Sequence, residues 1–364
     1  MIKTDVLVIG GCPAGLCAAL SAAEAGASVL VLDRAARMGG QLVKQTHMFF
    51  GSRAQYASER GISIPEKLFG QLAAFGDRVK LMTDTTALAV YDDGVVTAVN
   101  GQNDYFKIKP GAIVAATGAS EKTLAFPNND LPGIYGAGAV QTLMNVYGVK
   151  PGKRVLMIGA GNIGLIVSYQ LMQAGVEVAA ILDAAPRIGG YLVHAAKIRR
   201  MGVPILTSHT VVRAEGTDRL ERAVVAEIDA SFAPIPGTER VIDADVMCIS
   251  VGLTPLTELL AMAGCRMAYV ARLGGSVPLR DDSYETTVKG LFVAGDASGI
   301  EEASAAMVEG RLAGLYAAKR AGFAHGELEQ LASAQREQLA ALRGGAAGKH
   351  ILAGLAELGA AMEV

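Results

Sequence analysis

Three short apolar stretches rich in Val, Ile and Leu each run into a glycine turn: VLVIGG at residues 6–11, VLMIGAG at 155–161 and LFVAGD at 291–296. A run of β-branched and aliphatic residues of that length, closed by glycine, predicts a buried strand. After the first two turns, apolar positions recur at the spacing of a helix of about three turns, which stops at Gly26 or Gly175. A second apolar strand and an acidic residue, Asp33 or Asp183, follow. Residues 6–42 match residues 155–192 at an offset of 149 positions, which has become 150 by the acid. The repeated unit is strand, helix, strand, so each half is expected to build a parallel sheet. Ligands bind such sheets at the carboxyl ends of their strands, where these turns lie.

The turns are specific about what they hold. One glycine opens the tight turn, a second lets backbone approach a pyrophosphate, and a third lets the helix pack closely on the strand, while the helix N-terminus offers N–H groups to the anion. Gly159, Gly161 and Gly164, with Asn162 and Ile163 between them, meet this pattern in full. The first copy runs Gly10, Gly11, Cys12, Pro13, Ala14, Gly15, and Cys12 stands where the second copy has Gly161. A Cβ there is expected to crowd the path to the phosphates, with Gly11 giving the loop room. Asp33 and Asp183 lie where a carboxylate accepts the hydroxyls of an adenosine ribose. A 2′-phosphate beside Asp183 would be repelled, which favours NAD over NADP; nearby Arg187 weakens that preference.

Length and composition bound the rest. A chain of 364 residues predicts two domains of ordinary size. At 51% hydrophobic and 19% charged it is not a disordered chain. Its net charge of −2, 5% aromatic content and lack of Trp argue against nucleic acid. Residues 6–23 carry no charge, but glycines and Pro13 break the run and it leads into the phosphate turn, so neither a membrane span nor an export signal is expected. Four cysteines in so long a chain make no disulfide scaffold and fit a reducing, cytoplasmic setting. His194, His209, His325 and His350 show no metal-ligand spacing, and no metal is expected.

The third stretch, TTVKGLFVAGDAS (286–298), together with IVAATGAS (113–120) and MGGQL (38–42), resembles the ordered motifs of two-dinucleotide-binding-domain flavoproteins, the thioredoxin and glutathione reductase group. The resemblance covers roughly residues 3–320. It implies two Rossmann-like α/β domains. An NAD(P)-binding domain (121–255) is inserted into a discontinuous FAD-binding domain (1–120 and 256–325), and residues 326–364 form a C-terminal helical tail. It also implies FAD at Gly10, Gly15, Asp33, Gly40, Gln41, Thr117, Gly118, Gly295 and Asp296, with Asp296 accepting from a ribityl hydroxyl. The nicotinamide site would use Gly159, Gly161, Gly164 and Asp183. A helix starting near Glu302 and Ala303 would aim its N-terminus at the flavin edge that becomes negative on reduction.

The chain departs from those reductases in its thiols. It has no C-x-x-C in the inserted domain, and Cys12 and Cys17 sit in the phosphate turn and the helix after it, where packed small residues are the expected reading. LPGIYGAGAVQTLMN (131–145) and GIEEASAAMVEGRLAG (299–314) instead look like electron-transfer subunits of multicomponent amino-acid oxidases: sarcosine oxidase alpha, L-proline dehydrogenase alpha, opine oxidase A and hydrogen cyanide synthase B. That likeness implies an FAD-dependent oxidoreductase moving a hydride between NAD(H) and flavin, with a partner subunit or a homo-oligomer. Lys44 and His47, in VKQTHMFF (43–50), are the candidates to stabilise reduced flavin or relay a proton. Residues 52–66 read as a polar loop, either a lid or substrate wall or a plain surface connection, and 326–364 as an amphipathic helix, a Gly-rich break and a short apolar helix. A second reading stands open: a nucleotide-binding scaffold or sensor whose FAD site Cys12 has impaired.

Overall fold

Alternation along the strands decides which faces are buried. In the strand β1 (Ile2–Ile9), Val6 and Val8 join one apolar cluster and Leu7 and Ile9 another, so both faces of the sheet are covered. The computed structural model describes residues 1–49, 51–101, 103–323 and 326–362; of the positions named above, Phe50 and His325 lie outside the described residues. The chain forms two compact units, Met1–Ser120 with Thr254–Val364, and Glu121–Leu253. In chain order the helices are α1 (Pro13–Glu24), α2 (Ile64–Ala73), α3 (Ala137–Asn145), α4 (Asn162–Gln173), α5 (Leu192–Arg200), α6 (Glu258–Met262), α7 (Ala303–Arg320), α8 (Leu328–Leu342) and α9 (Ala346–Met362).

In the first unit β1 is flanked by β2 (Val29–Leu32) and, beyond it, β3 (Val79–Met82), all parallel. Two further strands, β4 (Thr85–Val90) and β5 (Val96–Asn100), form an antiparallel pair that joins β6 (Tyr105–Ala115). The long β6 has a different outer neighbour at each end. Ile108 pairs with Val96 of β5, whereas Ile113, Val114 and Ala115 pair in parallel with Leu291, Phe292 and Val293. The carboxyl ends of β1, β6 and the strand Leu291–Val293 therefore lie side by side.

Helix α1 is buried from Pro13 to Ala23 and packs against α7 through small residues. A Cβ at Gly310 would stand 2.1 Å from the Ala14 carbonyl oxygen, and one at Gly314 would stand 2.2 Å from that of Ala18. The two helices thus meet backbone to backbone. Helix α8 packs on α7, and α9 covers the hairpin of Met267–Val270 and Gly275–Pro278 with Ile351, Leu355 and Leu358. The last helix is not short. It has 17 residues and runs through Gly348, Gly354 and Gly359, with Gly354 set where a Cβ would be 3.0 Å from the Leu273 side chain.

The second unit repeats the plan. Its parallel sheet runs Ile205–Thr207, Glu177–Asp183, Arg154–Ile158, Val246–Ile249, Ile134–Gly136. Val155 and Met157 face the cluster that includes α3, α4 and α5, while Leu156 and Ile158 face a three-stranded antiparallel sheet, 209–215, 222–227 and 240–243. Among the described residues no helix is long and apolar enough to cross a membrane.

Helix propensity alone gives Gly310→Ala a gain of roughly 1 kcal/mol. The contact with Ala14 reverses the sign: a loss of about 1–3 kcal/mol is expected from overpacking, measured by equilibrium unfolding of the full chain.

Candidate functional site

At the end of β1 the chain turns through Gly10, whose φ of 110° suits glycine. A Cβ there would lie 2.1 Å from the Ala116 carbonyl oxygen just past β6, and a Cβ at Gly15 would lie 1.8 Å from the Gly10 carbonyl oxygen. The Gly11 N–H donates to Asp33 Oδ2 at 2.7 Å, and the Ala35 N–H donates to Oδ1 at 2.8 Å. Each carboxylate oxygen keeps acceptor capacity for a further donor. Cys12 is the N-cap of α1, in extended conformation, and Pro13 follows it in the first turn. The Cys12 thiol donates to the Ala116 carbonyl at 3.1 Å, and its Cβ abuts Gly40. The side chain is therefore turned toward β6 and Gly40. As at any helix start, the first-turn N–H groups have no partner within the helix.

The second unit reproduces the main features of this turn. Gly159 also has φ 110°, and a Cβ there would lie 2.1 Å from the Ser250 carbonyl oxygen; one at Gly164 would lie 2.0 Å from the Gly159 oxygen. The Ala160 N–H donates to Asp183 Oδ2 at 2.7 Å and the Ala185 N–H to Oδ1 at 2.8 Å. Gly161 caps α4 in the same extended conformation as Cys12, and a Cβ on it would enter open space. Asn162 Oδ1 accepts from the Tyr191 N–H at 2.9 Å, Ile163 is exposed, and Arg187 is exposed. A helix N-terminus, an adjacent carboxylate and room above the second glycine fit a dinucleotide diphosphate and ribose.

Two more turns join the first one. Ala294 N–H donates to the Ala115 carbonyl at 3.0 Å, Thr117 Oγ1 donates to the Leu256 carbonyl at 2.6 Å, and Gly118 adopts φ 76° with open space around it. Gly295, φ 70°, lies where a Cβ would be 2.9 Å from the Ala14 Cβ. The turns at Gly10, Thr117 and Gly295 thus converge, with Asp296 beside them and Glu302 as N-cap of α7, which begins at Ala303. Burial lifts the Asp296 carboxyl to about 7. The negative charges of Glu309, Glu302 and Glu301 add to this, against the Glu301 N–H, 3.5 Å from Oδ1, which pulls it down.

The GGQL segment is tied to the phosphate turn by the Gly39 N–H, which donates to the Gly11 carbonyl at 2.7 Å. Residues Gly40–Lys44 form a short 3₁₀ turn in which Gln41 is exposed and Lys44 half-buried. His47 is half-buried, its ring stacked 6.0 Å from that of Phe49. Its carbonyl accepts from Gly61 and that of Gln45 from Ile62, so Lys44 and His47 ride on a strip held by residues 60–62. Residues 52–66 are not a plain polar loop: they form turns at Arg53–Gln55 and Gly61–Ser63 and enter α2, with Gln55 and Ile64 buried. All four cysteines are free thiols; burial pushes Cys12 up to about 12 and Cys17 to about 11, and raises Cys248 and Cys265.

The sequence reading missed a buried ion cluster beneath Gly295. Glu309 of α7 accepts from the Gly295 N–H at 3.0 Å with Oε2, and with Oε1 from Arg343 at 2.7 Å and the Tyr284 hydroxyl at 3.2 Å. Arg343 also donates to Glu301, from Nε at 3.0 and 3.1 Å and from Nη2 at 2.6 Å. Arg280 donates to Ser298 Oγ at 2.7 Å, lies 3.7 Å from Glu309 and stacks on the Tyr284 ring, its guanidinium carbon 4.0 Å from the centroid. The signal available was Glu309 itself, a lone acid between small and apolar residues of a helix buried nearly all round. Among the described residues no cluster of His, Cys, Asp and Glu is placed to hold a metal.

Two strand–turn–helix units, each with a carboxylate closing its turn, define a protein of two Rossmann-type units. The chain belongs to the pyridine nucleotide-disulphide oxidoreductase family, whose model matches residues 4–310. It is 29% identical over 336 residues to the alpha subunit of sarcosine oxidase from Corynebacterium sp. (strain P-1), covering 88% of this chain and 33% of that protein. It is 29% identical over 326 residues to the A subunit of opine oxidase from Agrobacterium tumefaciens (strain Ach5), covering 86% and 65%. Among solved structures, L-proline dehydrogenase from P. horikoshii superposes with a TM-score of 0.72 at 26% identity, over 93% of this chain and 58% of that one. The chain thus spans between a third and two thirds of the length of these relatives.

The raised Asp296 pKa makes a prediction for FAD-free protein. Folding disfavours the ionised carboxyl, so this side chain costs nothing below pH about 4, a growing amount up to pH about 7, and a constant amount above. Asp296→Asn is expected to be more stable than wild type at neutral pH, with the difference shrinking to nothing as pH falls to about 4, in thermal unfolding across that range.

Proposed function

We propose that this chain moves a hydride between a nicotinamide dinucleotide at the Gly159–Asp183 turn and FAD at the Gly10, Thr117 and Gly295 turns, and passes the electrons on as one component of a multicomponent amino-acid or amine dehydrogenase. The observation that carries this is one hydrogen bond made twice: turn N–H to strand-end carboxylate, Gly11 to Asp33 and Ala160 to Asp183. A protein that builds the same dinucleotide turn twice has places for a donor and an acceptor of electrons. FAD, when bound, supplies the two-electron chemistry and can release electrons singly or in pairs.

The residues take their parts from chemistry. Asp33 and Asp183 orient the two adenosine riboses, and the first turns of α1 and α4 hold the diphosphates. Asp296 accepts from the ribityl chain, and the N-terminus of α7, at Glu302 and Ala303, faces the charge that reduction creates. Lys44 and His47 are the proton carriers of this reading. Asp183 favours NAD, since its charge repels a 2′-phosphate. Three buried thiols and the half-buried Cys12, all with raised pKa values, hold too little thiolate for disulfide exchange, so the electrons leave by another acceptor. The names of the relatives, both subunits, support a partner chain. A cytoplasmic complex, with this chain oligomeric or bound to an amine-oxidising subunit, completes the reading.

Purified protein is expected to be yellow and to bleach with NADH, but not with NADPH, under anaerobic conditions. Asp183→Asn should raise the NADH concentration for half-bleaching by about tenfold while leaving flavin content unchanged, as expected for loss of a hydrogen bond to a charged acceptor. A chain that stays colourless with added FAD would support the scaffold reading instead. Co-purification with an amine-oxidising flavoprotein separates a component of a complex from an enzyme acting alone.

A further inference from the structure

The ion cluster under Gly295 connects the C-terminal helices to the turn that carries Asp296. Arg343 follows α8, distant in sequence from every dinucleotide motif, yet its guanidinium holds Glu301 and Glu309 together. The side chains of Arg343, Glu309, Arg280 and Glu301 are only 8, 5, 8 and 12% exposed. Two carboxylates meet two guanidiniums, so the cluster is balanced in charge. Burial works against the Arg343 charge, but Glu301 and Glu309 outweigh it and keep it protonated. The two acids both reach the turn: Glu309, in α7, accepts from the Gly295 N–H, and Glu301, just before the N-cap of α7, has its N–H 3.5 Å from Asp296 Oδ1. Removing one partner of such a buried set leaves an uncompensated charge at low dielectric, where its field reaches further than in water.

We propose that Arg343 is a positioning residue of the flavin site, which clamps Glu301 and Glu309 about the Gly295–Asp296 turn and thereby sets the reduction potential of the FAD held there. The inference rests on the FAD reading of that turn. Reduction adds negative charge to the bound flavin. Without the Arg343 cation, the cluster carries a net negative charge beside the turn, which disfavours the reduced form. The C-terminal segment is then a part of the redox site and not only a cover for the sheet.

The test is anaerobic spectroscopic titration of the full-length, FAD-loaded chain against reference dyes. Arg343→Met is expected to lower the reduced-to-oxidised ratio about tenfold at a fixed potential, a negative shift of ~30 mV for a two-electron couple. Arg343→Lys should shift less. Glu309→Gln combined with Arg343→Met restores charge balance without restoring the packing, and should return the potential toward wild type. A merely structural role would lower the melting temperature in both variants and leave the potential alone. If Arg343→Met retains no flavin, Glu301→Gln decides, because it leaves the cluster net positive and must shift the potential upward. A wild-type potential in Arg343→Met, no recovery in the double variant, or no shift in Glu301→Gln overturns the proposal. A wild-type chain that takes up no FAD overturns the flavin reading of the turn, and this inference with it, and is told apart by its colourless spectrum.

Discussion

The close approach of a helix to the strand it leaves governs both halves of this molecule. At Gly15 and Gly164 any side chain would meet the carbonyl of Gly10 or Gly159 at about 2 Å. That contact starts the helix directly beyond the strand's carboxyl end, so the positive end of its dipole lies near the next strand's carboxylate. The carboxylate then closes the turn by accepting from its backbone, at 2.7 Å in each unit. Everything chemical in the fold is arranged around this geometry, which only glycine permits.

A second close approach extends it in the first unit. Gly310 and Gly314 of α7 lie on the carbonyls of Ala14 and Ala18, so the helix after the Gly295 turn is pressed onto the helix after the Gly10 turn. Parallel pairing of β6 with Leu291–Val293 brings the strand ends level. Three turns separated by long stretches of sequence then share one edge of one sheet, and Asp296 stands there half-buried, its pKa raised first by desolvation and then by the acids around it. Small residues achieve the approach; the cluster of Glu309, Glu301, Arg343 and Arg280 keeps the charges beneath it balanced. Replacing such a cluster with apolar residues often leaves a protein as stable or more so, so its ion pairs are weak evidence of added stability.

What was legible in the sequence is what is encoded at short range. The spacing of Gly10, Gly15 and Asp33, and of Gly159, Gly164 and Asp183, is set within one strand–helix–strand unit and could be read from one stretch of chain. The start of α7 near Ala303 followed from the apolar run after Asp296. The ion cluster was not legible, because Arg343 lies 34 residues beyond Glu309 and nothing local says that they meet. The length of α9 is hidden for a related reason: its glycines read as breaks, yet Gly354 lies within the helix where a Cβ would come within 3.0 Å of the Arg272 and Leu273 side chains. Residues 52–66 look polar in composition, but Gln55 is buried and donates to Gln338 of α8 at 2.6 Å, a contact made across the fold.

The two copies of the turn differ at one position, and the neighbours explain the difference. Gly161 opens onto free space, the condition under which a diphosphate can rest directly on the backbone. Cys12 occupies the matching N-cap, and its thiol donates to the Ala116 carbonyl. The sulfur thus serves the carbonyl that also blocks any side chain at Gly10, and it joins β1's turn to the end of β6. Such a thiol is held as a donor by burial, with its pKa pushed to about 12, which removes it from redox exchange while letting it act as a small structural hydrogen-bonding residue. A Cβ at this position is compatible with the turn because the side chain leaves sideways toward Gly40, whose own lack of a side chain makes the space. The two units therefore share the backbone constraint and differ at the N-cap, where each position is settled by the neighbour beside it.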